Sequence, residues 1–125
     1  MIVGFDYWQV LSHYPVQLTY LISALTSEGH TVVVVSAVGN NRIGTVKREV
    51  RLLGFDNPVY EVIFKDPKES PQLKLEKCKE LGITMFFDDR DDVCKLLNAN
   101  GILAFRVTRR DNSTYDLSDV EAEIK

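Results

Sequence analysis

Hydrophobic positions in this chain gather into five runs of strand length: IVGF (2–5), VVVV (32–35), VYEVIF (59–64), ITMFF (83–87) and ILAFRV (102–107). Helical patterns separate them. Between the first two runs, Leu18, Leu21, Ile22 and Leu25 recur at helical spacing, with Pro15 suited to a first helical position and Gly29 to a stop. A second helix is predicted over 42–53, with Ile43, Val46, Val50 and Leu53 inward and Gly54 ending it. A third is predicted over 71–81, with Ser70 as N-cap and Pro71 at its first position, and a fourth over 91–99. The near-continuous apolar character of VVVV and MFF marks strands covered on both faces, the mark of a parallel sheet. The predicted fold is therefore α/β: a doubly wound, Rossmann-like, mainly parallel sheet of about five strands with helices on both faces. Residues 1–107 form this core. Residues 108–125 read as a polar C-terminal tail, in which Ser118 and Glu121 have the capping-box spacing of a last short helix.

Composition narrows the picture. A chain of 125 residues, 45% hydrophobic and 26% charged, suffices for one sizeable core and is short for two. A net charge of −3 and a pI near 5.3 argue against general nucleic-acid binding. Arg42, Lys47, Arg48 and Arg51 read as the solvated face of the second helix, and the loop Gly39-Asn40-Asn41 before it is only a weak phosphate motif. Cys78 and Cys94 lack metal or redox spacing and read as buried thiols in a reducing compartment. No apolar stretch approaches the roughly 18 residues that span a bilayer, and no basic leader precedes the first strand, so the expectation is a cytoplasmic protein without a membrane partner.

Ligands of an open parallel sheet bind beyond the carboxyl ends of its strands. The residues there include Asp6, Ser36, Asp88 and Asp89. Taken singly, each has a plain structural role: Asp6 in a loop, Ser36 opening a turn, Asp88 and Asp89 with Asp92 capping the fourth helix. Taken together, three acids converge on one rim, where mutual repulsion raises their pKa values unless a cation joins them. All the donors are carboxylate oxygens, which favours a hard divalent ion such as Mg²⁺. Lys74 stands in the opening turns of the third helix, where the helix dipole disfavours a cation. Facing the acidic rim would balance it.

Asp6, Ser36, Lys74 and the pair Asp88-Asp89, in that order, resemble the four motifs of the haloacid dehalogenase superfamily of phosphatases and phosphotransferases. The stretch KLEKCKELGITMFFDDRDDV (74–93) is the most specific part, and the resemblance covers about residues 2–107. A response-regulator receiver would instead carry its acid pair on the first strand and its lysine last. The resemblance implies an Mg²⁺-dependent phosphatase-like hydrolase in which Asp6 is the nucleophile and passes through an aspartyl-phosphate. Ser36 would hydrogen-bond the transferring phosphoryl group, and Lys74 would neutralise it and orient Asp6. Asp6, Asp88, Asp89 and the backbone carbonyl of Trp8 would hold the metal, Asp89 being the favoured direct ligand of the acid pair. The substrate would be phosphorylated, small or macromolecular.

Two positions depart from the family pattern. Such phosphatases usually carry a second aspartate two residues after the nucleophile, as acid to the leaving group and then base to water. Here the residue is Trp8, whose indole does neither. General acid–base help contributes about 10²–10⁴ in rate, so ester turnover is expected to be weak. Gln9 stands where glycine is usual. His13, in the loop after the first strand, is the candidate substitute; His30 reads as structural. No segment has room for an inserted cap domain, so the site is expected to be capless and open to large substrates. The alternative is a binding or assembly module that keeps the fold and metal site without turnover. The sequence leaves an oligomer open.

Overall fold

The computed structural model describes residues 1–109. Five strands and four helices alternate: β1 (Ile2–Phe5), α1 (Pro15–Ser27), β2 (Thr31–Gly39), α2 (Thr45–Leu52), β3 (Val59–Phe64), α3 (Ser70–Leu81), β4 (Met85–Asp88), α4 (Asp91–Ala99) and β5 (Leu103–Arg106). The sheet order is β3-β2-β1-β4-β5 and every pairing is parallel. This is the doubly wound α/β architecture expected from the pattern. Successive residues of β2 serve opposite faces: Val32 and Val34 join the core under α1 and α2, whereas Val33 and Val35 join the core under α3 and α4. No helix among the described residues is long and apolar enough to cross a membrane. Ser118 and Glu121 lie outside the described residues.

The chain builds outward from β1 through β2 to β3, then crosses back to place β4 on the other side of β1. The order thus reverses between β1 and β4, and a crevice opens there at the strand ends. Asp6 comes directly after β1, and Asp88 closes β4. Register fixes their separation: Phe5 pairs with Phe87, and Phe87 with Phe105. The three rings stack across the sheet, at 4.6 Å between Phe5 and Phe87 and 5.0 Å between Phe87 and Phe105. Gly4, between the two cores, is required by packing, since a Cβ there would come within 2.5 Å of the Phe86 ring.

Several boundaries differ from the sequence reading. β2 runs on to Gly39 because β3 pairs with it from Val34 through Gly39, so Ser36 lies inside the strand and not after it. α2 begins at Thr45, later than the predicted 42, because Gly44 precedes it in a left-handed conformation. Ile43 is consequently 64% exposed, and Leu53 just past the helix 41%, in place of the inward positions that periodicity predicts. In α1 only Ile22 is fully buried, and Leu21 faces outward. Ser70 is not the N-cap of α3. A short 3₁₀ turn, Pro67–Glu69, precedes the helix, and Asp66 and Glu69 form a capping box on that turn.

Both cysteines are buried and free. Burial pushes each thiol up to about 12, which leaves almost no thiolate at neutral pH. Iodoacetamide at pH 8 is therefore expected to label neither in the native protein and both in urea. Rapid native labelling of either, detected by mass spectrometry, would contradict this packing.

Candidate functional site

The strand ends at the β1/β4 crevice bring Asp6, Asp88 and Asp89 together, one carboxylate oxygen from each lying within 4.8 Å of the others. All three are buried. Lys74 reaches them from the first turns of α3, where it is 2% exposed. Its Nζ lies 2.6 Å from Asp88 Oδ2 and 3.2 Å from Asp6 Oδ1. The cation therefore bridges the acids of two neighbouring strands. Ser36 donates from within β2 to Asp6 Oδ1 at 3.0 Å, and the backbone N–H of Arg90 donates to Asp88 Oδ1 at 3.0 Å. Both polar contacts of Asp6 to Ser36 and Lys74 are made through Oδ1, no hydrogen bond from a described residue reaches Oδ2, and Asp6 lines the adjoining cavity.

Charge is short on one side. Burial raises the Asp6 carboxyl well above the ordinary 3.8; Lys74 opposes the rise, and Asp88 and Asp89 reinforce it. Burial raises Asp88 as well, against the same lysine. Burial acts to lower the Lys74 ammonium, but Asp6 and Asp88 outweigh it and hold the group protonated above its ordinary 10.5. One lysine facing three carboxylates thus leaves Asp6 and Asp88 poorly compensated as anions. The donor set is all oxygen and clustered, which fits a hard divalent cation.

The third acid has its own cation. Arg109 Nε contacts Asp89 Oδ2 at 2.8 Å, with side chains 10% and 4% exposed. The segment bearing Arg109 is tied down twice more: the Val107 N–H donates to the Asp88 carbonyl at 2.8 Å, and the Tyr14 hydroxyl donates to the Thr108 carbonyl. The sequence pattern places Arg109 in the polar tail. Only the pairing of β5 with β4 brings Arg109, three residues past the strand, beside Asp89.

A cavity of about 270 Å³ opens beside Asp6. Trp8 and Phe64 supply its aromatic lining, Arg42 and Arg90 its cationic lining, and Lys74 and Asp89 its acid–base edge. Arg42 thus belongs to the site, although its sequence context reads as a solvated face. Lys47 and Arg48 are exposed, whereas the Arg51 guanidinium bonds the carbonyls of Phe55 and Asn57. Ser70 also lines the cavity, and its buried Oγ has no hydrogen-bond partner. The N-terminus of α2 offers nothing to an anion, because Glu61 already accepts from the N–H groups of Gly44, Val46 and Lys47 at 2.6–3.2 Å. No protein-family model matches the chain, and no curated protein does.

The loop after Asp6 accounts for Gln9. The Ser12 N–H reaches back to the Tyr7 carbonyl at 2.9 Å, and Gln9 at the apex has φ +62°, the only positive φ outside glycine among the described residues. This is a left-handed position at which glycine has no steric penalty. The chain stabilises it with a bond from the Gln9 N–H to Ser12 Oγ at 3.0 Å. Ser12 Oγ in turn lies 2.9 Å from His13 Nδ1, and His13 is not among the residues that line the cavity. His30 lies at the opposite end of the sheet, beside the N-terminal amine.

Proposed function

We propose that this protein is a phosphohydrolase of the haloacid dehalogenase type, dependent on a divalent cation, that works through an aspartyl-phosphate on Asp6. The observation that supports it most is the Lys74 ammonium bridging Asp6 and Asp88 at the point where the strand order reverses. Asp6 attacks phosphorus through Oδ2, the oxygen that accepts no hydrogen bond from a described residue, while Lys74 and Ser36 hold Oδ1 and fix the carboxylate plane. The P–O ester bond breaks as the Asp6–phosphorus bond forms. Water then attacks the same phosphorus, releasing phosphate and the Asp6 carboxylate. Ser36 has one donor and it is spent on Asp6. It acts here as a positioning residue, and the phosphoryl contact implied by the resemblance requires that bond to break.

Asp6, Asp88 and Asp89 would hold the cation, Mg²⁺ by the hardness of the donors, with the Trp8 carbonyl completing the set. Such an ion supplies charge neutralisation of the phosphoryl oxygens. The second reading, a binding or assembly module, draws on two observations: Trp8 replaces the acid, and Arg109 already neutralises Asp89.

A ligand that binds only the folded state stabilises it by mass action, about 2.7 kcal/mol at a concentration 100 times its Kd. Millimolar Mg²⁺ is expected to raise the melting temperature by several degrees over chelator. Equal melting in both overturns the cation site.

A further inference from the structure

We infer that the site is selective for aryl phosphates, monoesters that release a phenolate. This deepens the phosphatase reading above and rests on it. Trp8 takes the position at which the family resemblance implies a proton donor to the leaving group, and the other lining groups are poor acids near neutrality: Arg42 and Arg90 carry guanidiniums that do not deprotonate, and Ser70 carries a neutral hydroxyl. Asp6 is the nucleophile, Asp89 is held by Arg109, and Lys74 is committed to two carboxylates. His13 does not line the cavity. The leaving oxygen must therefore depart as an anion. An alkoxide, whose conjugate acid is about as weak as water, departs badly; a phenolate, whose conjugate acid has a pKa of about 10, departs far more easily.

The walls select among the esters that can react. The rings of Trp8 and Phe64 line the same cavity, next to Ala37 and Val38. A phenyl group gains there by offset or edge contact with an indole, beyond its area of burial. At about 270 Å³ the space lies at the small end of ligand pockets, enough for one ring and a phosphoryl group. Acyl phosphates and phosphoanhydrides also leave unprotonated, but their leaving groups are polar anions that gain nothing from an aromatic wall. In the reaction, the Asp6–phosphorus bond forms, the P–O(aryl) bond breaks, and the phenolate keeps the electron pair and takes its proton from solvent.

Trp8 is the only tryptophan in the chain, so its fluorescence reports directly on the cavity. With Mg²⁺ present, benzylphosphonate is expected to quench Trp8 and to bind at least about 10-fold more tightly than methylphosphonate. Phe64→Ala should reduce that preference, weakening benzylphosphonate more than methylphosphonate. In turnover, phenyl phosphate is expected to exceed ethyl phosphate by about 10²-fold or more. Trp8→Asp should raise ethyl phosphate hydrolysis and, by calorimetry, weaken benzylphosphonate; if that variant fails to fold, the Phe64→Ala comparison decides. Equal affinity for the two phosphonates, equal turnover of the two esters, or a lower KM for acetyl phosphate than for phenyl phosphate overturns the aryl inference and leaves the phosphatase reading standing. If neither phosphonate binds and no ester turns over, the phosphatase reading falls and the inference with it.

Discussion

Lys74→Met is expected to lower the free energy of unfolding by about 3–5 kcal/mol at neutral pH, a large share of the 5–15 kcal/mol typical of a domain. The substitution keeps length and apolar packing but removes the one lysine lying between Asp6 and Asp88, both buried. The loss is of compensation for carboxylates that cannot reach water. Its sign with pH is set by the same groups. Asp6 and Asp88 already have raised pKa values from burial, with Lys74 opposing the rise, and without Lys74 they rise further. The folded variant then binds protons more tightly than the unfolded chain, so its stability increases as pH falls toward the ordinary carboxylate value of 3.8. Lys74 itself has a raised pKa, so its stabilisation is fully present below 10.5 and is lost as pH rises through its folded value. The gap between wild type and variant should be widest at neutral pH and should narrow in acid. Urea denaturation from pH 4 to 8 checks both points, and adding Asp88→Asn should recover part of the loss. A variant of wild-type stability at pH 7 would mean that the buried ion pair contributes nothing.

On the proposed mechanism, Asp6→Asn is expected to reduce turnover by about 10⁴-fold or more, since loss of a covalent nucleophile cannot be made good by its neighbours. Beryllium fluoride with Mg²⁺ should bind the wild type as a phosphoryl mimic and should not bind the variant, because the amide lacks the anionic oxygen that closes the adduct. Calorimetry measures this without any substrate. Stability should change little or increase, as the amide removes one poorly compensated anion from the cluster. Unchanged fluoride binding would move the nucleophile elsewhere. Fluoride binding lost in the variant, combined with a wild type that hydrolyses no ester, would favour the binding-module reading.

The strands and the site acids are legible in the sequence because both obey local rules. Apolar runs bounded by helical periodicity give β1 and β3 to the residue, and a parallel sheet directs attention to the positions just past each strand. Lys74 is legible because a cation near a helix start opposes the dipole. Arg109 is not, since nothing in RVTRR distinguishes a buried guanidinium from a solvated one until β5 is placed beside β4. Ser36 is found as a residue but misplaced, because the length of β2 is set by its pairing with β3, a non-local contact. The exposure of Ile43 and Leu53 has the same origin: periodicity assigns them to a face, and the left-handed Gly44 and the end of α2 at Leu52 remove them from it. Trp8 can be recognised as a departure, but its part in an aromatic cavity with Phe64 depends on the loop after β1 meeting the end of β3.

The ladder of Phe5, Phe87 and Phe105 acts as a vernier for the chemistry. Each of the first two rings immediately precedes an acid of the cluster, so the same registration that stacks them sets how far apart Asp6 and Asp88 stand. A slip of one residue between β1 and β4 would turn side chains to the opposite face of the sheet and separate the carboxylates from Lys74. The gauge that calibrates the polar centre is thus an apolar one, and a substitution at Phe87 should be read out in cation affinity as well as in melting temperature.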